Sequence, residues 1–391
     1  MKAALRELGL ASAGILLPAA GTELEKFAVI ACDQFSSRPE YWQEAERIRE
    51  GAPSALDMIF PEAYLMAETD EELEAKKISA AMQRYLEEGL LEPCSASFVY
   101  VRRQTGAGVR KGLVAAFDLE RYEFREGAKS LIRATEGTVA ERLPARKLIR
   151  SLAPLEIPHA LVLVNEPRNE LFELLEGARG EMRPLYDFEL MLGGGRIEGR
   201  ELSSEQLCEK MAEILERDRL RGEGFLFAMG DGNHSFAAAK LWWDELKETL
   251  SPEQRENHPA RFALAELVNL HDSALTIEPI HRLLCGVNPA AAAGELEIDP
   301  LAPPPLSVLQ PRLDAYLKAN PAASLDYIHG AEECLRLAAE AEDRLAIVYA
   351  DFDRESIFKQ AAGGGALPRK SFSLGEARDK RYYLESRLII P

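Results

Sequence analysis

Apolar and polar positions along the chain switch between a period near two and a period near 3.6, which predicts strands interleaved with helices. Phe27–Ala31 is a short apolar run bounded by turn residues and predicts a buried strand. Arg38-Pro39-Glu40-Tyr41-Trp42 predicts a helix start with proline in the first turn, running through about Glu50. Thr69 to Leu86 predicts a long helix, with Thr69 as cap, Glu71 and Glu72 in the first turn, and Leu73, Lys77, Ile78 and Met82 at helical spacing. Ser97–Arg103 and Lys111–Asp118 predict a strand pair joined by a turn around Gly106 and Gly108. Pro158–Val164, Gly224–Met229, Phe262–Leu270 and Arg344–Ala350 predict further strands. Arg168–Gly177, Ser203–Arg217, Ser235–Leu246 and Ala331–Ala341 predict further helices. Between Val287 and Pro311 the chain is rich in alanine and proline, and reads as a linker or loose excursion. Alternating strands and helices together with hairpin signals predict an α/β or α+β fold of mixed sheets flanked by helices. Composition divides it into an N-terminal region 1–125, a core region 126–290 and a C-terminal segment 291–391 that packs back on the core.

Charge and composition narrow the function classes. Of 391 residues, 47% are hydrophobic and 29% charged, which excludes wholesale disorder. The net charge of −18 argues against nucleic acid as a partner, since neutralising phosphates needs a basic surface. Five dispersed cysteines without a C-x-x-C pair point to reduced thiols in the cytoplasm. No apolar run approaches the roughly 20 residues that span a bilayer, so no membrane role is expected. Lys2 and Arg6 precede the apolar stretch Leu8–Ala20, but Glu7 borders it and Pro18 cuts it, so it reads as the first elements of the fold and not as a signal peptide.

Against that acidic background, local clusters stand out. In Phe225-Leu-Phe-Ala-Met-Gly230-Asp231-Gly232-Asn233-His234-Ser235 a strand ends, two glycines permit a tight turn, and a helix begins at about His234. Backbone amides at such a helix start bind phosphate. Asp231 can hold a metal or accept a hydroxyl proton, and His234 can donate to a phosphoryl oxygen. A plain βα turn capped by Asp231 or Asn233 has the same spacing. The stretch holding Arg133, Arg142, Arg146, Lys147 and Arg150 suits a di- or triphosphate, and it equally suits an exposed basic helix paired with glutamates. Glu136, ahead of Gly137, is a candidate general base or metal ligand. The basic residues of Leu367–Glu385 could complete a phosphate site, or form a helix capped by Ser373 with Glu376 at its third position. Cys32 follows a strand, but no partner histidine is assignable, which favours a small buried thiol over a nucleophile.

The strings Val29-Ile-Ala-Cys-Asp-Gln-Phe35, Ile132-Arg-Ala-Thr-Glu-Gly-Thr138, Pro158-His159, Gly230–Ser235, His281-Arg282 and Arg369–Tyr383 resemble the bacterial and archaeal domain of unknown function 1015 family. The Asp231-Gly-Asn-His234 turn is also similar to the signature box of the ParB/sulfiredoxin-like fold, which includes free-serine kinases, sulfiredoxin and CTP-binding partition proteins. That resemblance implies a nucleotide-phosphate site at Gly230, Asp231, Gly232, Asn233 and His234. Many relatives have arginine where this chain has Ser235, which leaves phosphate contact to Arg133, Arg142 or Arg146. The expectation is a nucleotide-dependent, kinase-like phosphotransferase acting on a small polar metabolite, with ATP or ADP and Mg²⁺ as cofactors and a homo-oligomer left open. The alternatives are a non-catalytic nucleotide- or phosphometabolite-binding regulator, and a metal-assisted phosphoester hydrolase using Asp231, His234 and His271 or Asp272.

Overall fold

Along Phe98–Thr105 (β1) and Gly108–Asp118 (β2), successive side chains point to opposite faces, and the two strands close an antiparallel hairpin. Val99, Val101, Val114 and Ala116 enter one core, while Phe98, Tyr100, Leu113, Ala115 and Phe117 enter another. A computed structural model describes residues 2–64, 70–138 and 143–391. It divides into two compact units. The first comprises Met1–Ala134, Thr138–Leu275 and Ala377–Pro391, and the second Thr135–Gly137 with Thr276–Glu376.

The hairpin lies within the large mixed sheet of the first unit. The other strands on its path are Tyr122–Glu123 (β3), Ile132–Arg133 (β4), Leu161–Val164 (β5), Pro184–Leu190 (β6), Gly195–Leu202 (β7), Phe227–Asp231 (β8) and Phe262–Asn269 (β9). The order is β6-β7-β1-β2-β9-β5-β8-β4-β3, with Leu10–Ala11 added against β2. β9 and β5 run parallel, as do β8 and β4, whereas β5 and β8 are antiparallel. One face is covered by Pro39–Arg49 (α1) and Glu71–Glu87 (α2), through Trp42, Ile78, Met82 and Tyr85. Beside α2 lies Leu143–Leu152 (α3). The other face packs Glu170–Ala178 (α4), Glu205–Arg221 (α5) and Asn233–Leu246 (α6), through Leu175, Met211, Leu215, Phe236 and Trp243. A mixed α/β architecture is thus present, as the sequence pattern predicts.

Boundaries moved where tertiary partners took over. Thr69 lies outside the described residues. Helix α2 is capped by Asp70, whose carboxylate accepts from Glu72 N and Leu73 N. Within Phe27–Ala31 only Val29–Ile30 is extended, paired with Tyr382–Tyr383, because Leu24–Phe27 is a helical turn. No helix forms after Ser373. The segment 372–374 is a strand, the Ser373 hydroxyl donates to Gly375 O, and Ala377–Asp379 is a short 3-10 turn. From there Ser386–Leu388 pairs with Ile15–Pro18 and Leu155–Glu156, which incorporates the last residues into the first unit.

In the second unit, Ile277–Cys285 (β10) pairs with Ser324–His329 (β11), Arg344–Ile347 (β12) and Phe372–Leu374 (β13). The stretch read as a linker contains Pro289–Leu296 (α7) and the start of Leu306–Ala319 (α8). Asn288 caps α7 through Ala291 N, and proline sits at its permitted first position. Ala292, Leu296, Leu309 and Leu313 pack on Leu284 and Ile347, which explains why an alanine-rich segment folds here. Ala331–Ala339 (α9) and Glu355–Ala362 (α10) complete the unit. Among the described residues, no helix is long and apolar enough to cross a membrane.

Candidate functional site

Strand β8 buries Phe227, Ala228 and Met229 and ends at Asp231. The next residue, Gly232, has φ +79, a left-handed conformation that glycine adopts at little cost. A Cβ there would stand 2.9 Å from Ala160 Cβ and 3.0 Å from its Cα, so the turn also needs glycine for its close approach to β5. Helix α6 then begins at Asn233, within two residues of the start predicted at His234 or Ser235, with Gly232 as N-cap and no side-chain cap hydrogen bond. Neither Asp231 nor Asn233 caps the helix. Asp231 Oδ1 instead accepts from Gly232 N at 2.8 Å, and among the described residues the shielded Asn233 Oδ1 has no hydrogen-bond partner. As N-cap, Gly232 has no side chain with which to complete the first turn of this helix of 14 residues.

The C-terminal segment supplies the counter-charge. Lys380 Nζ lies 3.2 Å from Asp231 Oδ2. Asp231, Leu161 and Glu266 are in register across β8, β5 and β9, and Arg381 pairs with Glu266 at 3.3 Å. Two arginines of the hairpin hold this segment by its carbonyls. Arg103 donates to Gly194, Arg378, Asp379 and Lys380 O, and Arg110 donates to Asp379 O. Burial works against an ionised Asp231, but Lys380 and then His159 hold its carboxyl below the usual carboxylate range. A depressed value means stability that is fully present above the ordinary aspartate value of roughly 3.9, and is lost as pH falls through the lower folded value. Urea midpoints measured against pH should therefore fall along an acid limb below about pH 4, and Asp231→Asn should reduce that limb.

Beside the turn, His159 is held from two sides. Its Nδ1 lies 3.0 Å from the Tyr383 hydroxyl and its Nε2 3.3 Å from Ser235 Oγ, and the His159 and Tyr383 rings meet edge to face. Cys32 N donates to the Tyr383 oxygen at 3.2 Å. Burial, followed by Asp33, pushes the Cys32 thiol up to about 12, so it is protonated at neutral pH and lacks the thiolate a nucleophile needs. Cys32, His159, Ser235 and Tyr383 border a cavity of about 210 Å³ in the first unit. Arg146 of α3 lines it too, ion-paired with Glu62.

Gly230, Asp231, Gly232, Asn233 and His234 thus share one turn, and Arg146 borders the cavity entered by Ser235 and Phe236 of the same helix. Arg133 is not at that turn. It sits at the start of the sheet pair β4–β8, donates to Ser130 O and stacks 4.5 Å over Phe225. Arg142 lies outside the described residues. Glu136 belongs to the second unit, where its Oε1 accepts from Ser371 N at 3.0 Å. His271 and Asp272 follow the C-terminal end of β9, whereas Asp231 is level with the N-terminal end of β5 and Glu266. His271 contacts Asn165, and Asp272 accepts from Lys111 N, so the hydrolase constellation with Asp231 is not assembled. Among the described residues, no group of three or more His, Cys, Asp or Glu side chains converges as a metal site. Asp231 is a single carboxylate already paired with Lys380, a donor set that suits magnesium arriving with phosphates and not a resident ion. In the sequence, His159 is legible only through the Pro158-His159 string of the family resemblance.

No curated protein matches the chain. Among solved structures, a conserved hypothetical protein from Pyrococcus furiosus is 10% identical and matches over 69% of this chain and 90% of its own, with a TM-score of 0.34. A mutant free serine kinase in complex with ADP is 10% identical over 71% of this chain and 92% of its own, at a TM-score of 0.39. C-terminally truncated SbnI from Staphylococcus aureus is 9% identical over 67% of this chain and 82% of its own, at a TM-score of 0.34. All three likenesses are distant. The sequence pattern of the family described as protein of unknown function (DUF1015) matches residues 16–298, and the chain, with its Gly-Asp-Gly-Asn-His turn inside that span, belongs to this family.

Proposed function

We propose that the protein is a phosphotransferase that moves the γ-phosphoryl group of a nucleoside triphosphate to the hydroxyl of a small metabolite. The observation that carries this reading is the glycine-capped start of α6 directly after the Asp231–Gly232 turn, with Lys380 beside that turn. Amides at a helix start and a lysine point charge together favour phosphate oxygens. Magnesium bound with the nucleotide would neutralise phosphate charge, with Asp231 as its carboxylate on the protein. In the transfer, the metabolite oxygen forms a bond to the γ-phosphorus as the bond to the bridging oxygen breaks, and that electron pair leaves on the nucleoside diphosphate. Held at Nδ1 by the Tyr383 hydroxyl, His159 accepts the hydroxyl proton at Nε2. Asp231 is a weak base in its depressed state, which suits it to binding charge. No step is routed through Glu136. The competing reading is a regulator that binds the same nucleotide or phosphometabolite without turnover.

Titration calorimetry with ATP, ADP, CTP and GTP in the presence of Mg²⁺ tests the proposal. Binding of at least one nucleotide is expected, and uniform absence of binding overturns it. His159→Gln should lower turnover by roughly 10²–10⁴-fold with nucleotide affinity unchanged. Nucleotide binding without consumption against a panel of hydroxyl compounds would favour the regulatory reading.

A further inference from the structure

We infer that the acceptor in this transfer is a neutral alcohol carrying an apolar body, held in the cavity that His159 and Ser235 border. The inference rests on the phosphotransferase reading and names the substrate class for it. Away from His159, the cavity wall is formed by Met58, by Ile78 and Met82 of α2, by Ile149 of α3 and by Leu264 of β9. Natural cores hold few voids larger than a water molecule. An apolar cavity of roughly 150 Å³ accepts a benzene-sized molecule, so about 210 Å³ suits a body somewhat larger than that. A wholly polar solute would surrender hydration to this wall and gain no hydrogen bonds from it.

The head group follows from how the lining charges are matched. Arg146 is paired with Glu62, and Arg150 with Glu156, so among the described lining residues each arginine already has its anion. Glu74 of α2 is likewise paired, with Lys77, and Glu71 adds negative charge, which disfavours a carboxylate on the ligand. At the α6 end His159 and Ser235 remain, 3.3 Å apart, two side chains that hydrogen-bond a hydroxyl. That end also adjoins the turn proposed to hold phosphate, since Ser235 lies in the first turn of α6.

Linear primary alcohols from ethanol to octanol, titrated into the full-length protein, test this. Affinity should rise by about fourfold per added methylene until the cavity is full, then level off or fall. Carboxylates of equal length should bind more weakly. Ile78→Ala should move the optimum to a longer chain, and the wild-type length series stands without it should that variant not fold. An affinity independent of chain length, or tighter binding of the carboxylates, overturns the inference. If a magnesium nucleotide binds while the alcohols show no length optimum, the substrate class fails and the phosphotransferase reading stands. If the optimum is found but no nucleotide binds, the phosphotransferase reading fails, and with it the role of the alcohol as acceptor.

Discussion

Replacing Arg381 by methionine is expected to cost the first unit about 3–5 kcal/mol of folding stability. Arg381 is 2% exposed and pairs with Glu266 and Glu385, themselves 1% and 0% exposed. Burial opposes its charge, and Glu385 and Glu266 more than offset that, so the guanidinium is held firmly protonated. Removing it leaves two carboxylates in a medium where an unpaired charge is costly. Arg110 cannot take its place, since its Nη2 stands 3.7 Å from Glu266 Oε1 and makes no hydrogen bond there. The Tyr186 hydroxyl, which donates to Glu385, is a neutral partner. The measurement is the urea midpoint, with Glu266→Gln added in a double-mutant cycle. The pair of changes should cost less than the sum of the single ones, because the second removes the charge that the first orphans. A single-variant loss under about 1 kcal/mol would mean that water or rearrangement solvates the carboxylates.

Gly232→Ala carries the second large effect, and it separates fold from function. At φ +79 an alanine is strained by about 1–3 kcal/mol, and its Cβ meets the Ala160 backbone as well. The turn must lift away from β5, which moves the first amides of α6 out of line with Lys380. Nucleotide affinity should fall by more than about tenfold, the equivalent of one misplaced charge-assisted hydrogen bond. Calorimetry on the folded variant reads this directly. If stability drops while affinity holds, the Asp231 turn is a structural corner and phosphate binds elsewhere.

Legibility in the sequence followed the range over which each signal acts. The hairpin 98–118, the strand 262–269 and the helix ending at Leu246 were readable because their periodicity is internal to the segment. The stretch 287–311 reads as a linker or loose excursion because alanine and proline dominate its composition, yet it folds. What decides it is Asn288 as a cap and the apolar partners Leu284 and Ile347, and these partners come from other strands. In the candidate site, the Gly230–His234 string announced a turn and a helix start. Lys380 is legible only as one of several basic residues in Leu367–Glu385, and His159 only within the Pro158-His159 string, since a lone cation or histidine acquires meaning from what faces it. Arg133 shows the converse, because its sequence neighbours suggested phosphate while the fold turned it onto Phe225.

The sequence by itself determined the mixed α/β character, the strand–glycine–helix turn and the family. These depend on side-chain period, backbone freedom and short strings, all of which are local. Only the tertiary structure decided that residues 377–391 close the first unit, that Lys380 faces Asp231, and that His159 lies between Tyr383 and Ser235. Those pairings join residues 76 to 224 positions apart in two of the contacts, and they are set by which strands lie side by side. Strand neighbourhood is settled by burial of the whole sheet, and no local pattern carries that information.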